Sequence, residues 1–259
     1  VAKLVGATDL LNAYYEVLLK YQQDSSLENR LSILEYRQQI VQRVSVASLE
    51  VGSVSSELDC ELERAHQVAD YLLGKKGNRE KNLTVGAIVV TAAGAVLTSI
   101  LKDNSEFAAD RIGIISGLVG AGLGVLALTG DKKVEYSHPD NALAEIWHQP
   151  QVSKIFPAPI WNFLCMPLSD TGRQISLRTR LIADWQRMGQ LPPNSQMEKL
   201  QEAANLYFGQ GGIYNADELN NRANMLDQLT AAINLLTQDL RLLLRETEAM
   251  KDKIRGRKQ

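Results

Sequence analysis

Very little in this chain is suited to binding a metal or running redox chemistry. Its 259 residues include two cysteines, Cys60 and Cys165, and three histidines, His66, His138 and His148. Two cysteines so far apart are not the dense framework of a small secreted scaffold, and nothing in the sequence says that they pair. No Cys-x-x-Cys or His-x-x-x-His spacing occurs, so a zinc-type site has no ligand pair to start from. The nearest approach is His138 and His148 with Asp140 or Cys165, and it lacks that spacing. Net charge is also scarce, at −2 from 28 basic and 30 acidic residues. With no global positive field, nucleic acid is excluded as a main partner. A Gly-x-Ser-x-Gly elbow, a phosphate loop and a paired-carboxylate motif are all missing. Gly120-Ala-Gly-Leu-Gly124 imitates a dinucleotide loop, but such a loop follows a strand and opens a helix, whereas these glycines lie inside an apolar run. The expectation is a protein that is not an enzyme, with no catalytic residue, cofactor, metal or small-molecule substrate.

Prolines are few as well. There are seven, and five of them fall between Pro139 and Pro167, which leaves the rest of the chain free to form helices. The expected fold is all-α: an elongated helical bundle with long antiparallel coiled-coil-like helices and a central glycine-rich hydrophobic helical hairpin. Four segments are expected. Residues 1–77 hold an N-terminal helix, about Leu4 to Tyr21, and a long amphipathic helix, Leu27 to Leu73. Ser25 and Glu28 have capping-box spacing at its start, and Gly74 and Gly77 supply the stop. Val44, Ala47, Val51, Val54, Leu58, Ala65, Val68 and Leu72 keep three-four spacing along it, with Glu61 breaking the row. Residues 195–259 hold C-terminal helices that pack on it. There Asn215 and Glu218 repeat the capping spacing, and Leu226, Leu229, Ile233, Leu236, Leu240 and Leu243 alternate three and four apart. Asp9, Glu16, Asp59, Glu61 and Glu63 are read as solvated helix-face charges. The chain opens at Val1, so its start is expected to be a trimmed or processed end, and the lack of a visible signal there carries no weight.

The hydrophobic hairpin, 78–133, is the informative segment. Leu83 to Leu101 and Ile112 to Thr129 are both uncharged. Runs of this length approach the ~20 residues that cross a hydrocarbon layer. Glycine costs a soluble helix ~1 kcal/mol against alanine, yet Gly113, Gly117, Gly120, Gly122 and Gly124 share one expected helix. Four-residue spacing accounts for them: Gly113, Gly117 and Ala121 make one small-residue ridge, and Gly120 with Gly124 another. Gly86 and Gly94 offer small residues on the preceding run. Such ridges let two backbones approach closely in lipid. Lys75, Lys76, Arg79 and Lys81 before the hairpin, with Lys132 and Lys133 after it, place both flanks on the cytoplasmic side if it inserts during synthesis. The competing reading is a central hairpin of a soluble bundle.

Residues 134–194 form an aromatic, proline-rich helical connector with all three tryptophans, Trp147, Trp161 and Trp185. A short helix is expected over Asn141 to His148, an extended stretch at Pro157 and Pro159, and a helix from Ile175 to Met188. Trp147, Phe156, Trp161 and Phe163 are the candidate interface anchors; the competing reading is a hydrophobic plug. Arg173, Arg178, Arg180 and Arg187 read as a solvated face salt-bridged to Asp170 and Asp184.

On residues 27–130 and 215–254, this layout of long amphipathic helices around an apolar hairpin resembles that of the bacterial alpha-helical pore-forming toxins. The resemblance is architectural and implies a soluble-to-inserted transition. The leading expectation is a non-enzymatic, membrane-associated helical scaffold of the bacterial cell envelope. A pore-former that shelters the hairpin until insertion, and a wholly soluble helical binding protein, are the alternatives. The expected partners are a lipid membrane and a protein partner or a second copy of the chain.

Overall fold

A computed structural model describes residues 1–74, 128–129, 133–168 and 175–256. The protein is mostly helical. In chain order the described elements are α1 (Thr8–Gln23), α2 (Leu27–Leu72), β1 (Leu128–Thr129), β2 (Lys133–Ser137), α3 (Ala142–His148) and α4 (Ala158–Cys165). They continue with β3 (Pro167–Leu168), β4 (Ile175–Ser176), α5 (Leu177–Arg187), α6 (Met197–Phe208), β5 (Gly211–Tyr214) and α7 (Ala216–Gly256). Among the described residues no helix is long and apolar enough to cross a membrane. The two uncharged runs lie outside the described residues except at their end. There Leu128 and Thr129, expected to be helical, are instead strand β1, paired antiparallel with Val134 and Lys133. Only three residues, Gly130 and Asp131 among them, separate the paired strands, which is the spacing and composition of a short antiparallel connection.

The chain divides into two compact units, and α2 and α7 each contribute to both. The first comprises 1–55, 157–177 and 231–259. Here Tyr14 and Leu18 of α1 pack with Ile33 and Ile40 of α2. Farther along α2, Val44, Ala47 and Val51 are buried, as are Ile233, Leu236 and Leu240 of α7. The α2 and α7 helices run in opposite directions: Arg37 pairs with Glu248 at 3.0 Å, and Ser55 donates to Asn234 at 3.0 Å. The cap of α2 is Ser26, not Ser25, since the Asn29 amide donates to Ser26 Oγ while Ser25 turns back to the Tyr21 carbonyl. Pro157 and Pro159 do not hold an extended stretch. Pro157 (φ −51°) caps α4 and Pro159 lies in its first turn, where a missing amide hydrogen costs nothing because no intrahelical acceptor awaits it. Helix α4 buries Ile160, Trp161, Phe163 and Leu164.

The second unit comprises 56–156 and 178–230. It contains a three-stranded antiparallel sheet in the order β1-β2-β5, with Tyr136 opposite Gly212 and Ser137 opposite Gly211. Gly211 has φ +128°, and an added Cβ would meet the Tyr136 carbonyl and come within 2.8 Å of Ser137 Cα. Only glycine suits that conformation. Helix α7 starts on a reciprocal capping box: the Asn215 amide donates to Glu218 Oε2 at 2.7 Å and the Glu218 amide to Asn215 Oδ1 at 2.9 Å. Helix α2 ends at Gly74, φ +66°.

Candidate functional site

The most distinctive chemistry among the described residues is a buried polar cluster in the second unit. It begins with a problem of helix geometry. The last carbonyls of α6 have no intrahelical donors, and here they face the interior. Side chains from three other segments supply the donors. Asn141, just ahead of α3, gives Nδ2 to the Tyr207 carbonyl at 2.7 Å and to the Gly209 carbonyl at 3.0 Å. Arg222 of α7 gives Nη1 to the same Tyr207 carbonyl at 3.0 Å. Tyr214 of β5 gives its hydroxyl to the Leu206 carbonyl at 2.6 Å. A cation here also complements the negative end of the α6 dipole.

Arg222 is fully buried, so its charge requires a counter-ion. Glu61 of α2, itself 7% exposed, receives Nη2 in a buried ion pair, and Asn141 Oδ1 accepts from the same nitrogen at 3.2 Å. Burial pulls the guanidinium toward losing its proton. The Glu61 carboxylate, with Tyr214 and Tyr136 nearby, more than reverses this, and the pKa of Arg222 rises above its ordinary value. The expectation that Glu61 is a solvated charge is therefore corrected. It stands on the inward row of α2, which continues unbroken as Val54, Leu58, Glu61, Ala65, Val68 and Leu72, all buried.

Beside the ion pair lies an aromatic group. Since Tyr214 spends its hydroxyl proton on Leu206, His138 Nε2, 2.7 Å from that oxygen, must be the donor between them. The imidazole proton therefore sits on Nε2. This leaves Nδ1 as a bare acceptor without a hydrogen-bond partner. Burial, reinforced by the Arg222 charge, pushes His138 down to about 3. Burial likewise pushes Tyr207 up to about 12 and raises Tyr136 and Tyr214. These four groups thus titrate far from neutrality and move no proton there. Tyr136 of β2 receives Arg64 Nε at 3.0 Å, with the guanidinium carbon 5.4 Å from its ring centre, which ties α2 directly to β2. The cluster is a fastening point where α2, β2, β5, α6 and α7 meet.

Gly86, Gly94, Gly113, Gly117, Gly120 and Gly124 lie outside the described residues. The four aromatic candidates divide between the two units. Trp147 is half-buried in the second unit, stacked on Phe208 at 4.7 Å, and Phe156 is buried there too. Trp161 and Phe163 are buried in the first unit. Neither Cys60 nor Cys165 forms a disulfide. Arg180 and Arg187 pair with Asp184 as expected, whereas Arg178 donates to the Ile146 carbonyl at 2.7 Å. No group of three or more His, Cys, Asp or Glu among the described residues could hold a metal ion.

Sequence reasoning missed Arg222, Asn141 and Tyr214. A signal existed for the first: Leu219, Arg222, Leu226 and Leu229 continue the α7 row, so each long row carries one charge, of opposite sign. Comparison with known protein families, with curated proteins and with solved structures found no match to this chain.

Proposed function

We propose that this chain is a non-enzymatic helical scaffold in which α2 and α7 form an antiparallel, coiled-coil-like frame. The frame carries segment 83–127 as a glycine-rich helical hairpin, the membrane element of a cell-envelope protein. The Arg64–Tyr136 hydrogen bond is the observation that supports this most directly. Segment 75–127 leaves the frame after α2 and rejoins it at β1, and this bond ties α2, ten residues before Gly74, to β2, the strand paired with β1. An excursion that begins and ends on one compact unit crosses a layer an even number of times or not at all, as a two-run hairpin requires. The uncharged lengths and small-residue spacing of the two runs supply the affinity for lipid.

The test is flotation of the full chain with liposomes, beside a variant in which residues 83–127 are replaced by a short Gly-Ser linker. The parent should float with the vesicles and the variant should stay in the load, with unchanged helicity per residue in the frame. A parent that stays behind, or a variant that floats equally well, overturns the reading. Dye release on mixing with vesicles would move the assignment to the pore-forming alternative.

A further inference from the structure

Within the first unit, α2 carries a second apolar seam beside its buried row. Leu27, Leu31, Leu34, Gln38 and Val41 succeed each other at alternating four- and three-residue steps. Their apolar members are 70%, 56%, 52% and 39% exposed in that order. Single exposed leucines are ordinary, but three in register along one helix are the seam of a coiled coil. The flanking charges identify the occupant. With Leu31 at position a and Leu34 at d, Glu28 and Glu35 fall at e, and Arg30 and Arg37 at g. In a parallel pair each g residue faces the e residue five places on in the other helix, so Arg30 meets the partner's Glu35, twice by symmetry. In an antiparallel pair e faces e, and the glutamates would confront one another. Arg30 and Glu35 are both exposed and so placed to do this, whereas Arg37 is held by Glu248 of its own chain. Gln38 at an a position suits a two-stranded pair of fixed register.

We propose that two copies of this chain associate in parallel through the Leu27 to Val41 seam of α2, with Arg30 of each copy paired to the partner's Glu35. This interface does not depend on the membrane reading of 83–127, and the variant lacking 83–127 should keep it.

Sedimentation analysis of the full chain, in mild detergent, measures the association. The parent should be dimeric at micromolar concentration. L31D/L34D should weaken the dimer more than about a hundredfold, since two apolar contacts per copy become buried charges. Both positions are exposed, so the circular dichroism of the variant should match that of the parent, and its thermal midpoint should match that of the parent diluted until it is monomeric. E35R should weaken the dimer by about tenfold, and R30E/E35R should restore it. In a C60S/C165S background, L34C should cross-link to itself under mild oxidation, because a parallel register sets the two copies of that position face to face. A monomeric parent, a dimer indifferent to L31D/L34D, or a charge swap that fails to restore pairing overturns the proposal. So does a monomer whose vesicle flotation is lost in L31D/L34D, which would give the seam to a lipid surface.

Discussion

Replacing Glu61 by alanine leaves the Arg222 guanidinium fully buried with its bonds to the Tyr207 carbonyl and Asn141 but without a counter-ion. An uncompensated buried charge of this kind costs about 3–5 kcal/mol. The double variant Glu61→Leu/Arg222→Met should behave differently. It removes both charges and fills similar volume, and the Tyr207 carbonyl keeps its 2.7 Å bond from Asn141. Only Asn141 Oδ1 loses a partner, at about 1–2 kcal/mol, so the double should fall within about 2 kcal/mol of the parent. The measurement is urea unfolding followed by tryptophan fluorescence in a Trp161→Phe background. Trp147 and Trp185 then report the second unit, which contains both of them. At a slope of about 2–3 kcal/mol/M, the single variant should lower the midpoint by about 1–2.5 M and the double by less than the single, at most about 0.7–1 M. If single and double variants lose the same amount, or if Glu61→Ala costs under about 1 kcal/mol, the buried pair is not what the cluster depends on.

Two further outcomes follow from the same unit, the second with a control in the first unit. The folded His138 imidazole titrates near 3 against about 6.5 when unfolded, so its contribution is complete above pH 6.5 and drains away as pH falls toward 3. The rate is about 1.4 kcal/mol per pH unit, or about 2 kcal/mol by pH 5, and His138→Gln should flatten that limb of the profile; an unchanged slope would refute the assignment. Gly211→Ala should cost about 3 kcal/mol from its φ of +128° and the β2 backbone in its way. The identical change at Gly52, inside α2 with open space around it, should instead stabilise by about 0.5–1 kcal/mol; equal losses at both sites in thermal unfolding would contradict this.

The long helices were legible because burial repeats along them for many turns. The inward rows of α2 and α7, the Asn215–Glu218 box and the glycine stop at Gly74 can all be read from spacing alone. Ser26 was missed by one position because Ser25 offers the same hydroxyl, and only the backbone direction chooses between them. The two-residue strands and Gly211–Tyr214 are too short to show alternation, and the partner of Gly211–Tyr214 lies far away in the chain. For the cluster, a carboxylate on one apolar row and a guanidinium on another were each visible. What joined them was the relative register of α2 and α7, a tertiary quantity that no single row contains.

The junction between Arg64 and Tyr136 spans 72 residues of chain. The entropy of closing so long a ring varies only with the logarithm of its length, so doubling the enclosed stretch costs about 0.6 kcal/mol. A change of length between 75 and 127 therefore bears on this closure only through that logarithm. On this footing the fastening of α2 to β2 is insulated from changes in how much chain runs between them, with Arg64 and Tyr136 as the fixed ends of the ring.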